Sequence, residues 1–176
     1  DKMGHYGAYL VRLGVPPEVL MQLAGELGGS YDMARRVDEV QAIAEGARLR
    51  FRHFEAEVLH MPGHTSGLVC LWVEAHGLLL AADHLLERIS PNPIIELGPE
   101  GEEGFFRPLV SYLTSIARTR ELPIRLVLPG HGPPFGGHAQ VIDALLGFYR
   151  QRQARIRELL ADGPRTAYEV TAALFP

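Results

Sequence analysis

Three residues of the kind that bind metal ions each follow a short apolar run. His64 comes after "EVLHMPG", Asp83 after "GLLLAA" and His131 after "IRLVLPG". Two imidazoles and one carboxylate are a common zinc-binding set, with bonds of about 2.0–2.2 Å. A zinc ion held in this way activates water for hydrolysis. The sequence therefore suggests a metal centre, provided that the fold brings the three side chains together.

The apolar runs themselves predict the elements that would position these residues. Between residues 47 and 137 the runs are five or six residues long and are separated by glycine and short polar breaks, as strands are. Loops at one edge of an α/β sheet converge on a crevice where ligands bind. Glycine precedes both His64 and His131, and we expect it to allow a tight turn that a side chain would strain.

Helical patterns flank these predicted strands. Apolar residues at helical spacing predict helices within residues 3–28, whereas "SYDMARRVDEVQAIAEG" fits either a third helix or a loop. A further amphipathic helix is predicted over residues 109–122. After residue 137 the pattern predicts one long helix or two, and then a short helix near the C-terminus.

Composition limits the class of protein. The chain has 176 residues, 47% of them hydrophobic and 22% charged, which is typical of a globular domain. A net charge of −4 argues against a general nucleic-acid binder. The only cysteine is Cys70, and no apolar run reaches the roughly 18 residues of a membrane span. We therefore expect a cytoplasmic protein without a membrane partner.

The segments "GHTSG", "AADH" and "PGHG", in this order, resemble the third, fourth and fifth motifs of the metallo-β-lactamase superfamily. The resemblance implies an α+β fold, the αββα sandwich, with a site for one or two metal ions. It implies His64 as a ligand of the first metal, Asp83 as a bridging ligand, and His131 as a ligand of the second. The implied cofactor is zinc, with iron or manganese as alternatives.

The second family motif, His-x-His-x-Asp-His, is absent, but the opening "DKMG" is similar to its tail. By this resemblance Asp1 is a second catalytic residue beside Asp83 and helps to activate the water. Lys2 stands where the motif has its last histidine, so the second metal is in question. We expect this chain to lack the N-terminal sheet, and a preceding segment or a second chain to complete the site.

The expected domains are residues 1–137 and residues 138–176. The first is the later part of the metallo-β-lactamase-like domain, with a helical cover over 3–45 and the strands and metal motifs over 47–137. The second is a helical appendage that resembles the beginning of a winged-helix-like domain.

The function that this resemblance implies is a metal-dependent hydrolase. We expect zinc-activated water to attack the carbonyl of a small thioester, ester or lactone. One alternative is a single-stranded-RNA endoribonuclease, because Arg150, Arg152, Arg155 and Arg157 cluster on one helix. The other alternative is a degenerate, non-catalytic homologue that acts as a structural or binding module, for which Lys2 is the main argument.

Overall fold

A computed structural model describes residues 2–28, 37–98 and 106–175. The elements are α1 (Lys2–Arg12), α2 (Pro17–Gly28), β1 (Arg48–Arg50), β2 (Glu55–His60), β3 (Val69–Val73), β4 (Leu78–Ala82), α3 (Pro108–Arg120), β5 (Leu126–Pro129), α4 (His138–Leu159) and α5 (Ala167–Leu174). A single 3-10 turn, Glu74–His76, joins β3 to β4.

The five strands form one sheet in the order β1-β2-β3-β4-β5. Neighbours are antiparallel except for β4 and β5, which are parallel. Strands β2, β4 and β5 therefore run in the same direction and end at the same edge. The three predicted ligands follow these three strands, so the topology delivers them to one side of the sheet.

One face of the sheet carries the core. Trp72, Leu79 and Val127 lie side by side on β3, β4 and β5. They pack in one cluster with Tyr112 and Ile116 of α3, and Ile142 of α4 belongs to the same cluster. These helices are amphipathic because their apolar residues recur at helical spacing, and burying that stripe against the sheet stabilises both layers.

The opposite face of the sheet is also apolar. Val58, Leu71, Leu80 and Leu128 form one row across four strands. Val58 is buried, but Leu71, Leu80 and Leu128 are only partly buried and lie outside the core cluster. Strands that read as nearly continuous hydrophobic runs are typical of sheets covered on both faces.

The chain divides into two compact units. The first comprises Asp1–Gln41, Leu97–Glu103 and Gln151–Pro176, and the second Ala42–Glu96 and Gly104–Arg150. In the first unit, α5 begins with a capping box between Thr166 and Glu169. The backbone N–H of Tyr168 donates to the carbonyl of Leu13, which ties α5 to the end of α1.

The predicted helices are largely confirmed, and two open questions are answered. The segment after residue 137 begins with one continuous helix, α4, and not with two. Residues 37–46, the described part of the ambiguous segment before β1, contain no helix. The predicted domain boundary at residue 137 stays a prediction. None of the described helices is long and apolar enough to cross a membrane.

Candidate functional site

Asp83 occupies a strained turn at the end of β4. Its neighbour Ala82 has a φ of 45°, in the left-handed region that residues with a side chain rarely adopt. The register between β4 and β5 shifts at the same place, between Leu80 and Ala82. The Ala82 carbonyl accepts a hydrogen bond from the Gly130 N–H at 2.8 Å, which locks this turn to the end of β5. Backbone strain of this kind concentrates at functional sites.

The two oxygens of Asp83 face two different histidines. Oδ2 lies 3.8 Å from Nε2 of His64, and Oδ1 lies 3.5 Å from Nε2 of His131. Two atoms that bind the same tetrahedral zinc at about 2.0–2.2 Å are separated by roughly 3.3–3.6 Å. The distance from His131 lies within this range, whereas the distance from His64 slightly exceeds it. Among the described residues, no group of three such side chains is arranged to hold one ion. The geometry consists of two pairs that share Asp83.

The imidazole of His64 has a fixed orientation. Its Nδ1 lies 2.8 Å from the carbonyl oxygen of Asn92. Since a carbonyl only accepts, Nδ1 donates this hydrogen bond, and Nε2 is the ring nitrogen that lies towards Asp83. The carbonyl of His64 in turn accepts from the N–H of Ile94. A backbone acceptor on the far nitrogen is the arrangement that orients metal-binding histidines.

The residues around Asp83 fit a bound cation. Oδ1 of Asp83 is buried and has no hydrogen-bond partner. A buried carboxylate oxygen without a donor is unfavourable unless a positive charge satisfies it. A Cβ on Gly130 would lie 2.7 Å from this oxygen, so glycine keeps the space beside it open. Although the three side chains do not form one arranged group, imidazole nitrogens and a carboxylate are donors that suit a divalent metal ion.

The predicted reason for the two glycines is only partly right. We expected a tight turn with a backbone that a side chain would strain. Gly130 has no positive φ; it is required because Asp83 comes too close. At Gly63 a Cβ would lie 2.5 Å from Cβ of Tyr112, so contact with α3 excludes a side chain there as well. Gly63 also has a φ of 156°, which residues with a side chain rarely adopt, so the predicted strain is present there, whereas close packing alone decides Gly130.

Two residues that the sequence did not suggest hold the loop that carries His64. The carboxylate of Glu96 accepts from the Ser66 N–H at 2.7 Å and from the Ser66 hydroxyl at 2.6 Å. The hydroxyl of Ser115 in α3 donates to the carbonyl of Pro62. Ser66 is therefore a structural residue whose hydroxyl is engaged. Neither Glu96 nor Asn92 belongs to a recognisable motif, and both lie about thirty residues from their partners.

His84, which follows Asp83, is fully buried and contacts α3. Burial lowers the pKa of its imidazole to about 4, so the ring is neutral. Its Nε2 lies 2.7 Å from the hydroxyl of Thr119, and that hydroxyl donates to the carbonyl of Ser115. The imidazole must then donate to Thr119. His84 thus anchors the turn of Asp83 to α3.

Asp1 lies outside the described residues, so its predicted catalytic role stays a prediction. Lys2 begins α1, and its place in the metal site is likewise untested. His131 is the most exposed of the three candidate ligands, with a side-chain accessibility of 73%, against 24% for His64.

The family model described as the metallo-beta-lactamase superfamily matches residues 10–131. The probable metallo-hydrolase YqjP of Bacillus subtilis is 37% identical over 119 residues, which are 68% of this chain and 37% of that protein. The chain therefore spans little more than a third of this relative.

Two solved structures are similar over nearly the whole chain. A metallo-beta-lactamase family protein of Thermus thermophilus is 29% identical, with a TM-score of 0.66, over 91% of this chain and 55% of that one. A beta-lactamase domain protein of Burkholderia ambifaria is 26% identical, with a TM-score of 0.76, over 96% of this chain and 47% of that one. The α+β fold class and the resemblance carried by the three motifs are confirmed.

Proposed function

Because this chain belongs to the metallo-beta-lactamase superfamily, we propose that it forms part of a zinc-dependent hydrolase that acts on a thioester, an ester or a lactone. The Bacillus relative is described as a probable metallo-hydrolase. The observation that carries the proposal is the convergence of His64 and His131 on the two oxygens of Asp83.

Each of the three side chains has a distinct part in this proposal. His64 would bind the ion through Nε2, because its Nδ1 donates a hydrogen bond to the carbonyl of Asn92. Asp83 offers one oxygen towards each histidine, so it can contribute to one ion or bridge two. His131 is exposed and lies on the open side of the site. Zinc, when bound, supplies a water of pKa about 7 and polarises the substrate carbonyl.

The substrate class is argued from charge. A nuclease needs cationic groups that follow the phosphate backbone. On the arginine-rich part of α4, Arg155 pairs with Glu158 at 2.9 Å, and the guanidinium of Arg152 lies over the ring of Phe175 at 4.9 Å. Two of the four arginines are thus engaged within the protein. This favours a carbonyl substrate over single-stranded RNA. The single cysteine supports a cytoplasmic location.

The metal content of the complete protein tests this proposal. We expect one or two zinc ions per chain by elemental analysis, and we expect His64→Ala and Asp83→Asn each to lower metal content and thioester hydrolysis together. His76→Ala is the matched control, because His76 is an exposed residue of the turn between β3 and β4. Metal-free protein that takes up no zinc would contradict the proposal and favour the non-catalytic alternative. Metal-loaded protein that cleaves RNA but no thioester would favour the nuclease.

A further inference from the structure

A groove lies between the segment that follows β4 and one side of α4. Its volume is about 710 Å³, which is within the range of small-molecule sites. One wall is the segment from Leu86 to Ser90. The other wall consists of side chains of α4, namely Gln140, Val141, Ala144, Leu145 and Phe148. Val141, Ala144, Leu145 and Phe148 are spaced as neighbours on one helix face.

The groove adjoins a second cavity that reaches one of the candidate ligands, His131. This second, smaller cavity of about 130 Å³ is lined by Leu86, Glu87, Arg88 and Ile89, which also line the groove, and by His131, Gly132 and Pro133. The same four residues therefore form a wall of both spaces. This shared segment places the groove next to the cavity that His131 lines.

The walls are mostly apolar and carry no net charge, with Ser90 and Gln140 as uncharged polar residues. Ile89 and Phe148 are 62% and 40% exposed, so each wall contributes an exposed large hydrophobic side chain. The charged lining residues are Glu87 and Arg88, which form an ion pair at 3.5 Å. A nucleic-acid strand needs unpaired cations, and these walls offer one paired arginine. An aliphatic chain needs the apolar surface that the walls do offer.

We propose that this groove binds the acyl chain of the substrate, so that the enzyme prefers thioesters and esters of medium-length apolar acids. The inference rests on the proposed function and adds the part of the substrate that is recognised. From Val141 to Phe148 the helix rises about 10 Å, the length of an acyl chain of roughly eight carbons. With the chain along α4, the carbonyl would extend from the groove towards the smaller cavity that His131 lines.

The test is a series of thioesters of one leaving group, N-acetylcysteamine, with acetyl, butyryl, hexanoyl and octanoyl chains. With the complete, metal-loaded protein we expect kcat/KM to rise about threefold to fourfold for each methylene that enters the groove. Ala144→Trp places an indole between the walls. It should lower kcat/KM for the octanoyl thioester at least tenfold more than for the acetyl thioester.

Ala154→Trp is the matched control, because Ala154 is exposed on the same helix and does not line the groove. It should leave the octanoyl-to-acetyl ratio as in the parent protein. A ratio that Ala144→Trp leaves unchanged, or values of kcat/KM that do not depend on chain length, would overturn the assignment of the groove while leaving the hydrolase intact.

Binding of octanoate, measured by calorimetry, separates the two proposals because it needs no turnover. Octanoate should bind, and Ala144→Trp, but not Ala154→Trp, should weaken that binding about tenfold. This result would support the assignment of the groove even if no thioester is hydrolysed. Absence of hydrolysis alone would then count against the proposed function only. Octanoate that fails to bind, or that binds equally to the parent protein and Ala144→Trp, overturns the inference about the groove.

Discussion

Gly130 lies so close to Asp83 that a methyl group in place of its hydrogen would stand 2.7 Å from Oδ1. The same oxygen is buried, has no hydrogen-bond partner and faces His131 at 3.5 Å. The space beside this atom is therefore kept open by the absence of a side chain on the neighbouring strand. We regard this contact as the most specific sign that the site is shaped for a ligand of Asp83.

Gly130→Ala should therefore weaken metal binding. The new methyl group must displace the carboxylate of Asp83, and we expect the zinc affinity of the complete protein to fall about 10- to 100-fold, as it does when the orientation of a ligand is disturbed. Competition with a chromophoric chelator measures the affinity. Gly67→Ala is the control, because a Cβ at Gly67 meets no atom within 4 Å. Equal affinities for both variants would refute this role of Gly130.

The hydrogen bond that orients His64 leads to a prediction of no effect. Nδ1 of His64 donates to the backbone carbonyl of Asn92 and not to its side chain. Asn92→Ala keeps that carbonyl, so the zinc affinity should stay within about twofold of the parent value, whereas His64→Gln should lower it at least tenfold. The same chelator competition applies. A tenfold loss of zinc affinity in Asn92→Ala would mean that the side-chain amide of Asn92, and not its backbone carbonyl, orients His64.

Thr119→Val should destabilise the protein through His84. The valine leaves the buried Nε2–H of His84 without its acceptor, at a cost of about 1–3 kcal/mol in the free energy of unfolding. Thr119→Ser keeps the hydroxyl, so its free energy of unfolding should fall by less than that of Thr119→Val. Thr114→Val is the control on the same helix, because Thr114 is exposed and its hydroxyl donates to the carbonyl of Val110 within the helix. Urea unfolding that gives the same loss for Thr119→Val and Thr114→Val would contradict the anchoring role.

Cys70 makes stability sensitive to alkaline pH. Burial raises the pKa of its thiol from 9.0 to about 12, so the folded chain keeps a proton that the unfolded chain releases above pH 9. Raising the pH from 9 to 10 then favours unfolding by about 1 kcal/mol. The stability of the parent relative to Cys70→Ala should shrink by this amount between the two pH values, measured by urea unfolding. A constant difference would show that the thiol is not buried.

The second face of the sheet predicts a covering layer in the complete protein. Leu80 lies in the apolar row with Leu71 and Leu128 and is only partly buried. If another layer packs there, Leu80→Asp should cost at least about 3 kcal/mol, since it removes a buried side chain and buries a charge. Leu160→Asp, at a position that is 42% exposed, should cost less than about 1 kcal/mol. If both variants lose a similarly small free energy of unfolding, this face of the sheet is exposed to water in the complete protein.

The sequence allowed the candidate metal ligands to be predicted, because each of these residues follows an apolar run. The period of those runs predicted the strands, and the shared direction of β2, β4 and β5 brings His64, Asp83 and His131 to one edge. The predicted helices followed in the same way from their apolar spacing.

The supporting contacts could not be predicted. The acceptor for His64 is a backbone carbonyl, which every residue has, so no residue type marks Asn92. Glu96 reaches Ser66 across thirty positions through an irregular segment that has no period. The groove likewise joins such a segment to a helix that begins about fifty residues later. These features depend on how the loop packs, and packing is decided by the folded chain as a whole.

The segment between β4 and α3 contributes to both ends of the binding region. Leu86 to Ile89 form a wall of the groove, and a few residues later Asn92 and Ile94 hydrogen-bond to His64. A metal ion at His64 and an apolar chain in the groove would thus both contact, directly or through His64, the same short segment of backbone. Thermodynamic linkage makes any coupling between them reciprocal: the factor by which the ion changes affinity for the chain is the factor by which the chain changes affinity for the ion.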